Sequence, residues 1–193
     1  DVDGNGADDV IADFGSTLGG IFIKRNLGGW TQLHNFSAEL MATGDLDNSG
    51  KDDVVIDFGG IGLWARMNDA SWLKLHNSSP ELIAIGDMDG NGADDVIAVF
   101  GTGIFVKRNL GGWAQLHNSV PEMLAVGDLD NSGQDDVVID FGAIRVWASR
   151  PELKEQLDQY VSDSALYRSA IDAAAGICDG RGLERVVSVM QSC

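Results

Sequence analysis

The sequence is poor in basic residues: 13 Lys and Arg stand against 30 Asp and Glu in 193 residues, a formal charge of −17. No basic stripe exists to neutralise phosphates, which excludes nucleic acid as a partner. No apolar run approaches the roughly 20 residues that a bilayer-spanning helix needs, so no membrane insertion is expected. Cysteine is nearly absent, and Cys178 and Cys193 can form at most one intrachain bridge. They are compatible with an extracellular protein without requiring one. The three histidines, His34, His76 and His117, occupy one position of a repeat. A catalytic centre needs unlike groups converging, with a base or nucleophile placed once, so the chain is read as non-catalytic.

What the sequence has instead is acid, concentrated in one nine-residue loop written four times, at 1–9, 45–53, 87–95 and 128–136. The first, third and ninth positions are carboxylates: Asp1, Asp3 and Asp9; Asp45, Asp47 and Asp53; Asp87, Asp89 and Asp95; Asp128, Asp130 and Asp136. The fifth is Asn5, Ser49, Asn91 or Ser132, and the sixth is glycine. Oxygen side chains alternating around a glycine-permitted turn converge on one point, the arrangement a hard cation with six to eight oxygen ligands requires. The expected occupant is Ca²⁺, about four ions per chain. Without a cation, crowding three carboxylates into nine residues would be repulsive in every copy.

Residues 1–149 hold 23 of the acids and 8 bases, and 16 of those acids lie inside the loops. Four bound Ca²⁺ would bring the chain from −17 to about −9, so the acidity is mostly a metal-site signature. Sites of low affinity fill only where calcium reaches about the millimolar level found outside cells, which makes secretion the expected location. Because the chain starts on the first ligand of a loop, it reads as a processed or truncated piece of a longer one. A Ca²⁺ wrapped by a single loop is expected to staple a turn rather than act on a substrate.

The loops recur at offsets of 44, 42 and 41 residues, a period close to that of propeller blades. A Val/Ile-rich strand follows each loop (9–14, 53–58, 95–100, 136–141), and a second follows a Gly-containing turn (21–26, 62–68, 104–109, 144–148). A third begins at Trp30, Trp72 or Trp113 and ends in Leu-His-Asn, and a fourth (39–44, 81–86, 122–127) runs into the next loop. Four short strands joined by tight turns make one antiparallel blade. Units one and three resemble each other most, as do units two and four, so the older duplication unit can be a pair of blades.

The Asp-x-Asp-x-(Asn/Ser)-Gly-x-x-Asp loop leading into Asp-Val-Ile-x-x-Phe-Gly resembles the FG-GAP or VCBS repeat of integrin-type β-propellers and of many secreted bacterial proteins. The resemblance covers residues 1–148, in units starting at 1, 45, 87 and 128. It implies that the first, third, fifth and ninth loop residues bind Ca²⁺ through side chains and the seventh, Ala7, Lys51, Ala93 or Gln134, through its backbone carbonyl. Ser49 and Ser132 depart from the Asp or Asn of the pattern, so loops two and four are expected to bind more weakly.

The implied fold is mainly β: a β-propeller-like array of about 3.5 four-stranded antiparallel blades followed by a C-terminal α-helical extension. The strands number 14, leaving edges that something must cover, whether missing blades, the tail or a second copy. Two copies would total 28 strands, enough for a seven-bladed ring, so a homodimer completing the propeller is one expectation. From Ser149 the period changes. Ser149-Arg-Pro-Glu152 reads as a capping box, and Leu153, Leu157, Tyr160, Ser164, Tyr167, Ile171, Ala174 and Cys178 recur at helical spacing. Asp179-Gly-Arg-Gly182 ends that helix, and Leu183, Val186, Val187 and Met190 mark a shorter one in the 149–193 extension.

Two readings stand for the repeated Trp30, His34 and Asn35, Trp72, His76 and Asn77, and Trp113, His117 and Asn118. In one, Trp fills the space between blades while His-Asn ends a strand and satisfies turn backbone. In the other, each set forms a shallow pocket where Trp stacks on a sugar face and Asn and His bond hydroxyls. Asp13, Asp57 and Asp140 repeat before Phe-Gly, but Val99 replaces them in unit three, so they are read as turn-stabilising rather than catalytic. Lys24, Arg25, Arg66, Lys107, Arg108 and Arg145 share the second strand, either as a solvated edge paired with acids or as an anionic-glycan surface. The function expected is non-catalytic recognition of carbohydrate or of a cell-surface protein. The alternatives are an accessory module of a larger secreted enzyme and an integrin-like protein-adhesion module.

Overall fold

The computed structural model describes residues 1–141, all within one unit, Asp1–Ala143. The strand expected at 144–148 and the helical extension at 149–193 lie outside the described residues. The described residues form thirteen strands: β1 (Val10–Asp13), β2 (Ile21–Lys24), β3 (Trp30–His34), β4 (Leu40–Gly44), β5 (Asp53–Asp57), β6 (Leu63–Met67), β7 (Ser71–His76), β8 (Leu82–Gly86), β9 (Asp95–Phe100), β10 (Gly103–Lys107), β11 (Trp113–His117), β12 (Met123–Gly127) and β13 (Asp136–Asp140). They form four antiparallel sheets: β1-β2-β3, β4-β5-β6-β7, β8-β9-β10-β11 and β12-β13.

Within each full sheet, chain order is spatial order, because every connection is a short turn or an acidic loop that only reverses direction. The acidic loops at 45–53, 87–95 and 128–136 each join the first strand of a sheet to the second, β4 to β5, β8 to β9 and β12 to β13, while 1–9 leads into β1. The same irregularity recurs in three copies, a register shift at Ile21/Phe22, Leu63/Trp64 and Ile104/Phe105 opposite the Leu-His end of the outer strand.

Successive sheets pack face to face, which explains strands that are apolar on both sides. In β5, Val54 and Ile56 join Ile21 and Ile23 of the first sheet in one buried cluster, while Val55 points the other way, toward Val96 of the third. Ile97 and Val99 then meet Val137 and Ile139 of the fourth sheet. Period-2 alternation therefore assigns alternate residues of one strand to different neighbours rather than to core and solvent. Among the described residues the sheets form a run and not a closed ring. Val10, aligned with Val54 and Val96, is 49% exposed against 2% and 0% for those two.

Candidate metal centres and the seams between repeats

Each acidic loop is organised by its first carboxylate. In loop 1 (1–9), Asp1 Oδ1 accepts the N–H groups of Gly4 (2.8 Å) and Asn5 (3.1 Å), and Oδ2 accepts that of Gly6 (2.6 Å). Loop 3 (87–95) repeats this on Asp87, with Gly90 at 2.8 Å, Asn91 at 3.1 Å and Gly92 at 2.7 Å. In loops 2 (45–53) and 4 (128–136), Asp45 and Asp128 take the same bonds from Ser49 and Gly50 and from Ser132 and Gly133. The ninth carboxylate closes the loop, accepting the N–H of the second residue: Val2 on Asp9, Leu46 on Asp53, Leu129 on Asp136.

This folding brings the sequence-identified carboxylates together. One oxygen from each of Asp1, Asp3 and Asp9 lies within 4.8 Å of the others, and the same holds for Asp45, Asp47 and Asp53 and for Asp128, Asp130 and Asp136. Loop 3 carries a different mark, because Asp89 Oδ1 is buried with no hydrogen-bond partner. Orphaned buried carboxylate oxygens are costly unless a cation meets them. Burial pushes the Asp53 and Asp95 carboxyls above the usual range, and the charges of Asp47 and Asp45, or of Asp89, push in the same direction. A set made only of oxygens, rich in carboxylate and strained toward protonation, fits a hard divalent cation such as Ca²⁺. The carboxylates at the first, third and ninth positions would hold it, with Asn5, Ser49, Asn91 and Ser132 as neutral oxygens. Its chemistry would be charge neutralisation that fixes the loop.

A further set of residues supports these sites, and sequence reasoning did not assign it a role. Asn26, Asn68 and Asn109, each in the turn that follows the second strand of its repeat, donate their backbone N–H to the ninth carboxylate, Asp9 (3.1 Å), Asp53 (2.6 Å) and Asp95 (3.0 Å). Their Nδ2 atoms donate to the third carboxylate, Asp3, Asp47 and Asp89. Their Oδ1 atoms accept from the fifth residue, Asn5, Ser49 and Asn91. Each Asn adopts a left-handed backbone, φ 49, 48 and 50°, a conformation Asn tolerates better than most residues. The signal was an Asn at the same repeat position three times.

The eighth carboxylate faces away from its own loop and ties successive loops together. Asp94 Oδ2 accepts the N–H of Asp45 at 2.8 Å, and Asp135 Oδ2 accepts that of Asp87 at 2.9 Å. Asp52 holds the N-terminal ammonium of Asp1 and raises its pKa through that hydrogen bond and charge. A side chain at Gly44 would place its Cβ 2.5 Å from Asp94 Oδ2, and one at Gly86 would collide with Asp135. These two glycines permit the close approach of the next loop.

On each seam the histidine ring packs against the following repeat: His34 on Phe58 (4.5 Å between centroids) and Trp72 (5.4 Å), His76 on Phe100 (4.3 Å) and Trp113 (5.9 Å), His117 on Phe141 (4.7 Å). Each Nδ1 accepts a turn N–H, from Phe36, Ser78 and Ser119 at 3.0–3.1 Å, which puts the proton of the neutral ring on Nε2. Burial holds the His34 pKa below its ordinary value. Trp113 Nε1 donates to the Leu75 carbonyl at 3.0 Å. Trp72, Trp113 and the histidines therefore fill and fasten the seams, while Asn35, Asn77 and Asn118 are exposed at the turns that follow and Trp30 is half exposed.

Other repeated polar groups are held by turn and strand-edge contacts. Asp13 accepts from Gly15 and Ala38 N–H and from Ser37, and Asp57 accepts from Gly59 N–H and from Ser79 Oγ at 2.6 Å. In unit three the acid is Val99 and the position aligned with Ser79 is Val120, so both halves of the pair are replaced together. Arg25 and Arg66 pair with Asp69, and Lys24, Arg66 and Lys107 sit over Trp30, Trp72 and Trp113.

No protein-family model matches the sequence, and no curated protein matches it. Among solved structures the fold resembles a lectin of Agrocybe aegerita described as recognising non-reducing terminal N-acetylglucosamine, with a TM-score of 0.55 and 19% sequence identity. The likeness covers 72% of this chain and 44% of the lectin, so this chain matches less than half the length of that protein. At this identity the likeness is one of fold.

Proposed function

We propose that this chain is a secreted, calcium-stabilised module of FG-GAP/VCBS-type repeats, built as propeller-like blades, that binds carbohydrate without transforming it. The observation that carries the carbohydrate reading is the fold likeness to a lectin for terminal N-acetylglucosamine. Terminal N-acetylhexosamines are accordingly the first ligands to test. Supporting it, each seam presents the same exposed Asn beside a histidine whose Nδ1 is occupied and whose Nε2 carries the donor hydrogen. Repeated shallow sites of this kind give a multivalent surface in which weak single contacts add through avidity. Ca²⁺ acts at a distance from the sugar, by holding the loops that fix one sheet against the next.

The test is a glycan-array screen of the purified chain with millimolar Ca²⁺ and again with chelator. The reading expects calcium-dependent binding to a coherent class of N-acetylhexosamine-terminated glycans, reduced in Asn77→Ala. A folded, calcium-loaded sample that binds no glycan would overturn it and favour a protein-adhesion or accessory module.

A further inference from the structure

The seams between successive loops obey a complementarity rule, and the two outer edges carry its unmatched halves. Where loop 2 meets loop 3, the fourth residue of loop 2 is Asn48, the seventh of loop 3 is the small Ala93, and a Cβ at Gly92 would lie 2.9 Å from Asn48 Nδ2. Where loop 1 meets loop 2 and loop 3 meets loop 4, the sizes are reversed. The fourth residue is glycine and the seventh is long, and Cβ atoms on Gly4 and Gly90 would lie 2.8 Å from Lys51 Cγ and 3.0 Å from Gln134 Cγ. This rule accounts for the alternation of repeat types along the chain.

At the outer edges, loop 4 presents Asn131, whose φ of 59° matches the 54° of Asn48. Loop 1 presents the small Ala7, with nothing within 4 Å of a Cβ at Gly6. The other seam elements are unmatched in the same sense. Asp8 is exposed where Asp52, Asp94 and Asp135 each clasp a preceding loop. Among the described residues nothing lies within 4 Å of a Cβ at Gly127, where the aligned Gly44 and Gly86 face the carboxylate of the next loop. Leu129 is 62% exposed and Val10 49%, whereas their counterparts Leu46 and Val96 are 1% and 0% exposed in one shared cluster.

We propose that the loop 4 edge of one molecule docks on the loop 1 edge of a second copy, repeating the seam between loops 2 and 3. Asp8 accepts the Asp128 N–H, Asn131 lies over Gly6 and Ala7, and Leu129 covers Val10. The contact joins different surfaces, head to tail, so it builds a ring where the rotation closes and a chain where it does not. It does not depend on the identity of the ligand, and its test involves no sugar.

Gly127→Ala is the discriminating variant. Among the described residues its Cβ would meet nothing within 4 Å, but it would meet the Asp8 carboxylate in the docked seam, as a Cβ on Gly44 would meet Asp94. Gly60→Ala, also in open space and away from the seam, is the control. Sedimentation velocity of the full chain in Ca²⁺, over a concentration series, is expected to show self-association for wild type and Gly60→Ala. Gly127→Ala and Asp8→Ala should weaken it at least about tenfold without lowering the melting temperature. Wild-type chain that stays monomeric throughout, or Gly127→Ala that associates as wild type does, overturns the proposal.

Discussion

Asp94 Oδ2 accepts the backbone N–H of Asp45 at 2.8 Å, while the Asp94 N–H donates to the Asp45 carbonyl at 2.7 Å. The second of these bonds recurs between Asp52 and Asp1 and between Asp135 and Asp87. Residues more than 40 positions apart are thereby joined as firmly as neighbours on a sheet ladder. The doubled Asp at the end of a loop divides its work: the ninth closes its own loop and the eighth grips the loop before it.

Glycine at the grip is a steric requirement. Gly86→Ala should destabilise the chain by about 1–3 kcal/mol through the clash with Asp135 and Val126. Gly127→Ala, with nothing within 4 Å of the added Cβ among the described residues, should leave the melting temperature unchanged. Equal losses in the two variants, by thermal or urea unfolding, would refute the role assigned to the seam.

Loop 3 should depend on a cation through Asp89, whose Oδ1 is buried and unpartnered. Asp89→Ala is expected to lower the melting temperature in millimolar Ca²⁺ and to leave it nearly unchanged in chelator, because only the native state holds the ion. Equal losses in both conditions contradict the metal assignment.

The aromatic seam separates packing from recognition. Trp113→Ala removes a ring that touches His76 and Phe100 and a bond to Leu75, and should cost roughly 2–4 kcal/mol, somewhat below a fully buried Trp. Asn77→Ala, at an exposed turn, should leave stability within about 0.5 kcal/mol while reducing glycan binding. Loss of stability in Asn77→Ala with unaltered binding would reverse the two assignments.

Asp57 supplies a pH signature apart from the cation sites. Burial, with Glu39 adding to it, raises its carboxyl above the ordinary value despite bonds from Ser79 and Gly59. A raised carboxyl favours the folded state below its unfolded pKa, about 3.9, and that advantage is lost as pH rises through the folded pKa. Relative to wild type, Asp57→Asn should therefore gain melting temperature as pH is raised from about 4 toward neutrality at constant Ca²⁺. A difference that is flat with pH, or that moves the other way, would show that the carboxylate is not held against its burial.

The four loops, their carboxylates and the strands around them were legible because each is a local pattern: alternating oxygens around Gly6, Gly50, Gly92 and Gly133, and apolar runs bounded by turns. The roles of Asp94 and Asn109 were not, since their partners, Asp45 for the first and Asp89 and Asn91 for the second, lie about 50 and 20 residues away along the chain. The exception of Val99 became intelligible only when the aligned Ser79 and Val120 could be compared beside it. For His34, His76 and His117 the sequence favoured packing and left sugar binding as the alternative. Ring contacts with Phe58, Phe100 and Phe141 assign the histidines to the seam and move any recognition to their outer edges and to Asn35, Asn77 and Asn118.

The most direct test of the calcium-stabilised repeat is to count the ions. Native mass spectrometry or equilibrium dialysis at millimolar Ca²⁺ should find about four ions per chain, one fewer in Asp89→Ala, with the melting temperature falling as they are removed. A chain that binds no Ca²⁺, and melts at the same temperature with and without chelator, would contradict the account.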